Sequence, residues 1–124
     1  MKKLGWGMAI VFAIFMVAAS VAPKLLGAEV ATQAFIQIGW TSKYISLIGV
    51  LELLFTILFL IPRTSLFGAI MMTGLLGGAL ASHLRVDSPL FSHTFFSVYL
   101  GILMWTSLWL RENKIRNVFP YIRS

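Results

Sequence analysis

Apolar positions along this chain fall in long, nearly uncharged blocks rather than in the alternating or one-faced stripes of a soluble fold. Leu4–Ala22 carries no charge, and Tyr44–Ile61 carries only Glu52. Ser65–Leu84 carries none, with His83 near its end, and Leu90–Leu110 carries none, with His93 near its start. A helix that spans a bilayer needs about 20 mainly apolar residues. In lipid the backbone must satisfy its own hydrogen bonds, so each block is predicted to be a helix. The expectation is an all-α fold: a transmembrane four-helix up-down bundle forming one domain over residues 1–124. Its spans lie at about 4–22, 44–61, 65–84 and 90–110, with a basic tail over 111–124.

The connections support antiparallel neighbours. "PRT" at 62–64 and "RVDSP" at 85–89 are short turns, and Asp87, Ser88 and Pro89 suit a turn followed by a helix start. The first connection, residues 23–43, is longer. In it Ala31, Ala34, Phe35 and Ile38 are apolar at helical spacing, while Glu29, Thr32, Gln33 and Gln37 are polar. This predicts a short amphipathic helix in the first outer loop, stopped at Gly39, with Trp40 and Tyr44 as interface anchors. Such a helix either covers the bundle end or forms a lid over a cavity. Two stripes of small residues, Gly5/Ala9/Ala13 and Gly74/Gly78/Ser82, predict close helix contacts, inside the chain or in a homo-oligomer.

Composition agrees with a membrane setting. Of 124 residues, 59% are hydrophobic and 11% are charged. The latter is far below the roughly 25% of soluble domains. Lys2, Lys3, Arg63, Arg111, Lys114, Arg116 and Arg123 fall on one side of a four-span arrangement; Lys24, Lys43 and Arg85 fall on the other. The richer side is expected to be cytoplasmic, which puts both termini there. The net charge of +6 then answers to anionic headgroups, and nucleic acid is not expected as a partner. Met1-Lys2-Lys3 before an apolar run resembles a secretory signal, and Ser20-Val21-Ala22 offers a cleavage spacing. The run is longer than a signal core of roughly 7–15 residues, and Pro23 would follow the cut, so a retained first span is expected. There is no cysteine, hence no disulfide and no thiol redox centre.

The polar residues inside the blocks are the candidate chemistry. Glu52 lies about 12 Å inside the second span at ~1.5 Å per residue. A carboxylate at that depth must face the bundle or a wet cavity, because exposing it to acyl chains costs a few kcal/mol or more. Gly49 and Thr56 share its face. With His83, Arg85, Asp87 and His93 it lies in the outer half, whereas the other half shows no matching set within its helices. An outward-opening polar pocket is expected, with Glu52, His83, Arg85 and His93 as ligand-binding or proton-handling candidates. Gly49, Thr56 and Asp87 support them, and Phe91, Phe95 and Phe96 are candidate lining. The alternative is a set of groups that solvates a turn at the headgroups. No metal is expected, since His83 and His93 lie ten residues apart across a turn, which is no recognised ligand spacing.

The run "GVLELLFTILFLIPRTSLFGAIMMTGLLGGALASHLR", then "SHTFFSVYLGILMWTSLWLR", resembles the DoxX-like family of small four-helix integral membrane proteins. Gly49 and Glu52 in "GVLEL", Pro62-Arg63-Thr64, Gly68-Ala69 and the His83 and His93 segments carry the resemblance. The loop ending "IGW" is similar, but Thr41 and Ser42 stand where a proline often follows in the family. The resemblance implies an uncharacterised multi-pass protein of a bacterial inner membrane. Relatives include a subunit of a membrane thiosulfate–quinone oxidoreductase and proteins of redox-stress complexes. Two roles follow as expectations: an accessory or ligand- and partner-binding membrane subunit, or part of a quinone-linked oxidoreductase system with Glu52 and His93 moving protons. The partners expected are the lipid bilayer and a membrane or redox protein. Transport is disfavoured, because four short helices seldom enclose a pore.

Overall fold

The computed structural model describes residues 1–91 and 95–122. The described chain is all-α, without strands. Helix α1 (Lys2–Phe15) runs into a π-helical stretch (Met16–Val21) and then α2 (Ala22–Leu25), giving one continuous rod of 24 residues. It extends past the end expected at Ala22. Pro23 sits inside the rod, in the first turn of α2. The widened winding ahead of it, with the Ala22 N–H on the Val17 carbonyl, relieves the clash a proline makes in a regular helix.

Helix α3 (Glu29–Gln37) is the short helix expected in the first connection. Gly27 (φ +72°) closes α2, and Gly39 (φ +92°) closes α3, both in the left-handed region that glycine tolerates. In each, the following residue's N–H reaches back five positions, Ala28 to Pro23 and Trp40 to Phe35. Helix α4 (Ile45–Leu60) and α5 (Ser65–Arg85) are joined through Pro62–Thr64, as expected. The Thr64 and Ser65 hydroxyls bond the Leu58 and Ile61 carbonyls at 2.8 Å each, satisfying groups that the end of α4 leaves open. Helix α6 (Phe96–Arg111) and a short α7 (Asn113–Val118) complete the fold. The expected start of the last span near Leu90 runs into residues outside the described ones.

α1 packs on α6, α6 on α5, α5 on α4, and the π stretch with α2 on α4. At the centre, Phe12 meets Phe59 edge-on at 5.5 Å, and Ala9, Met72, Met104 and Leu108 are fully buried. Gly5 admits α6 so closely that a Cβ there would stand 2.7 Å from the Ser107 carbonyl oxygen. Gly68 does the same between α5 and the backbone of Phe59. The exterior is as apolar as the interior. Leu47, Val50, Leu54 and Ile57 on α4, and Phe67 and Ile70 on α5, are all exposed. That surface suits hydrocarbon, not water. Two helices, Lys2–Leu25 and Ser65–Arg85, are long and apolar enough to cross a membrane and fit a membrane helical bundle; α4 and α6 have 16 residues each.

The basic tail begins with a buried residue. Arg111 is buried, 1% exposed, with its guanidinium 4.3 Å from the Trp6 ring centroid, 4.4 Å from that of Phe59, and donating to the Phe59 carbonyl. A guanidinium is weakly hydrated and planar, so two aromatic faces can hold it where a lysine would not stay. Beyond it, the chain folds back along α6. Phe119 stacks on Trp105 at 4.7 Å, and the Trp109 indole N–H donates to the Phe119 carbonyl at 3.0 Å. The half of the molecule expected to lack buried polar groups therefore holds one, together with Ser65 and Ser107.

Candidate functional site

Glu52 faces inward from α4 and is 7% exposed, so it turns away from the lipid-like exterior as its cost demands. Its partner comes from the far end of the first rod. Lys24 Nζ lies 3.0 Å from Glu52 Oε1, and the Ser20 hydroxyl donates to Oε2 at 2.5 Å. Ser20 and Lys24 are four residues apart on one helical face, and Lys24 Nζ also reaches Ser20 Oγ at 2.7 Å. The carboxylate is thus compensated in charge and bonded at both oxygens. Gly49 makes this approach possible, since a Cβ there would sit 3.0 Å from Leu25 Cδ2 and 3.2 Å from Lys24 Cβ. Thr56 lies on the same face but bonds the Glu52 backbone carbonyl at 2.7 Å, as an intrahelical contact.

The three groups form part of the wall of a cavity of about 720 Å³ between the first rod, α4, α5 and α6. Most of its lining is apolar. Ala31, Ala34 and Phe35 of α3, with Ile38 just beyond it, roof it, so the helix covers a cavity. Gly74 and Gly78 line it, and a Cβ on either would meet nothing within 4 Å. Within the chain, Gly74 and Gly78 therefore border the cavity rather than a neighbouring helix; the Gly5/Ala9/Ala13 stripe is the packed one. Ser82, one turn further, is 8% exposed and accepts the Trp40 indole N–H at 3.0 Å. Trp40, expected as an interface anchor, therefore ties the lid to α5. Ser97 at the start of α6 also lines the cavity; it is 8% exposed, and its hydroxyl has no partner among the described residues.

The candidates read from the sequence divide accordingly. Glu52 and His83 both line the cavity, and His83 Nδ1 lies 2.9 Å from the Ser88 hydroxyl. Arg85 points away from it: its guanidinium bonds the Ile38 carbonyl at 3.0 Å and packs over Gly39, where any Cβ would collide with it. That contact pins the C-terminus of α3. Asp87 (φ +55°) is an exposed turn residue outside the cavity. Of the three phenylalanines, only Phe96 lines the cavity, with Phe15 at 5.5 Å; Phe91 is 77% exposed and packs on Phe95. His93 lies outside the described residues. The sequence reading missed Ser20, Lys24 and Ser97. For Lys24 a signal existed: one lysine four residues after a serine, at the end of an apolar block facing a block with one acid.

No curated protein and no solved structure gives a significant match to the chain. The family model described as the DoxX-like family matches residues 8–107, a stretch that contains both partners of the ion pair and every described residue lining the cavity. The chain belongs to the DoxX-like family.

Proposed function

We propose that this is a four-span, multi-pass protein of a bacterial inner membrane, arranged up-down with both termini cytoplasmic. Its cavity opens toward the outer face and holds an amphiphilic ligand, so its role is that of an accessory or ligand-binding subunit. The observation that carries the reading is the bonded Lys24–Glu52–Ser20 group on the wall of an otherwise apolar 720 Å³ cavity. Maintaining an ion pair on an otherwise apolar cavity wall is costly in a fold that needs only to pack. A polar head over an apolar cavity is the arrangement such sites share. α4 and α6 cross with 16 residues each, about 24 Å at ~1.5 Å per residue, and flanking charged residues reach the interface. Orientation rests on seven Lys and Arg on the terminal side against three on the lid side.

A second reading rests on the tilted Phe15–Phe96 pair in the cavity wall, which suits a flat ring such as a quinone. Under it the chain is a subunit of a quinone-linked membrane oxidoreductase system. Native mass spectrometry from mild detergent tests both. The wild-type protein should carry one lipid-soluble molecule that Gly78→Phe, which fills the cavity from an open position, removes. A quinone mass favours the second reading, and another amphiphile favours the first. Absence of any bound molecule, or equal retention in Gly78→Phe, would defeat both. A fluorescent C-terminal fusion reports the orientation, and an inactive fluorophore paired with an active periplasmic phosphatase fusion would reverse it.

A further inference from the structure

Along the outside of α5 and α6 runs a second hollow, about 570 Å³, open to the surroundings. It shares Leu76 and Ser97 with the cavity under α3, so these two residues are the partition between them. Its floor is Gly77 and Gly101, and a Cβ on Gly77 would meet nothing while one on Gly101 would meet only Leu76 Cδ1, at 3.9 Å. From Ser97 to Trp109 it follows α6 for about 18 Å at ~1.5 Å per residue, and Phe119 of the folded-back tail closes its far end. An apolar groove of this length, beginning at Ser97, fits one hydrocarbon chain.

The charge pattern at the other end restricts the head. Lys24 is the only lysine or arginine on the described cavity wall. Its three protons are directed at Glu52 Oε1 (3.0 Å), Ser20 Oγ (2.7 Å) and the Ser20 carbonyl (3.4 Å). The Ser20 hydroxyl proton lies on Glu52. What the group still offers is lone pairs on a charge-compensated carboxylate, which accept hydrogen bonds and present no free donor to an anion. Arg85 is turned onto Ile38 and supplies no positive charge to the cavity.

We infer that the cavity is entered sideways from the bilayer through the α5–α6 seam at Leu76 and Ser97, by a neutral, hydroxyl-bearing, single-chain amphiphile. Its hydroxyl donates to Glu52, and its chain leaves past Ser97 to lie over Gly77 and Gly101. This rests on the proposed ligand-binding role and adds the ligand class and its route. An alcohol head and a phenol head share the required chemistry.

The test uses the full chain in mild detergent, titrated with monoolein, decylhydroquinone and oleoyl lysophosphatidate and read by native mass spectrometry. At least one neutral probe should bind ten-fold or more tighter than the anionic one, and which of the two does so tells alcohol from phenol. Gly101→Phe, and Gly77→Phe on the facing helix in case the first does not fold, should weaken the neutral probe at least ten-fold, while Gly101→Ala does not. Equal affinity for lysophosphatidate overturns the inference. So does loss of binding in Gly78→Phe with none in the groove variants, which leaves the cavity reading intact. Binding unaffected by all three phenylalanines overturns both.

Discussion

The Lys24–Glu52 pair can be taken apart in a way that separates its local attraction from its cost. The side chains are 17% and 10% exposed, and the charged atoms lie 3.0 Å apart. At an effective dielectric near 20 their attraction is about 5–6 kcal/mol, most of it cancelled by the cost of taking both from water. Lys24→Met leaves Glu52 buried with only the Ser20 hydroxyl, so it should cost about 3–5 kcal/mol. Glu52→Gln keeps an acceptor for Ser20, and Lys24, near a helix end, can extend toward the interface; its cost should be about 1–2 kcal/mol. The double variant Lys24→Met/Glu52→Gln should lose less than about 2 kcal/mol, because no charge remains stranded. The assay is a double-mutant cycle from reversible unfolding in mixed micelles, with an expected coupling of at least about 2 kcal/mol. Losses that add to within about 0.5 kcal/mol would refute the reasoning, since the two charges would then not stabilise each other.

Four further outcomes rest on the same geometry. Gly68→Ala should destabilise by about 1–3 kcal/mol, since its Cβ would press on the Phe59 backbone; Gly78→Ala, in open space, should gain up to about 1 kcal/mol from helix propensity. The same unfolding measurement reads both. Trp40→Phe and Arg85→Gln each remove one tie on the lid, worth about 1 kcal/mol, and should speed amide exchange over residues 29–37 about five-fold, measured by hydrogen exchange and mass spectrometry. Arg111→Lys should destabilise by about 1–2 kcal/mol in an unfolding titration, because an ammonium cannot stack between Trp6 and Phe59 while bonding the Phe59 carbonyl.

Much of the fold was legible because lipid imposes a simple rule on sequence. Long uncharged blocks must become helices, and their ends are marked by residues with local reasons to be there: Pro62–Thr64, Gly39, and the polar spacing of residues 29–37. The inward orientation of Glu52 was legible for the same reason, as the outward one is too costly. The misread elements are those where one sequence signal serves two ends. A small residue every fourth position reads identically whether it admits a helix, as at Gly5, or borders open volume, as at Gly74 and Gly78. Arg111 reads as the first residue of a basic tail, and only the Trp6 and Phe59 rings standing across from it draw it inside.

By itself the sequence determined which segments are helices, that they belong in hydrocarbon, and that one carboxyl must hide. Those outcomes follow from free energies each segment carries alone: desolvation, backbone satisfaction and turn chemistry. Tertiary structure alone decided that Lys24 and Ser20 meet Glu52, that Arg85 holds the lid rather than the cavity, and that two glycines of α5 border empty space. Each depends on the distance between helices far apart in the chain, and no local preference encodes that distance.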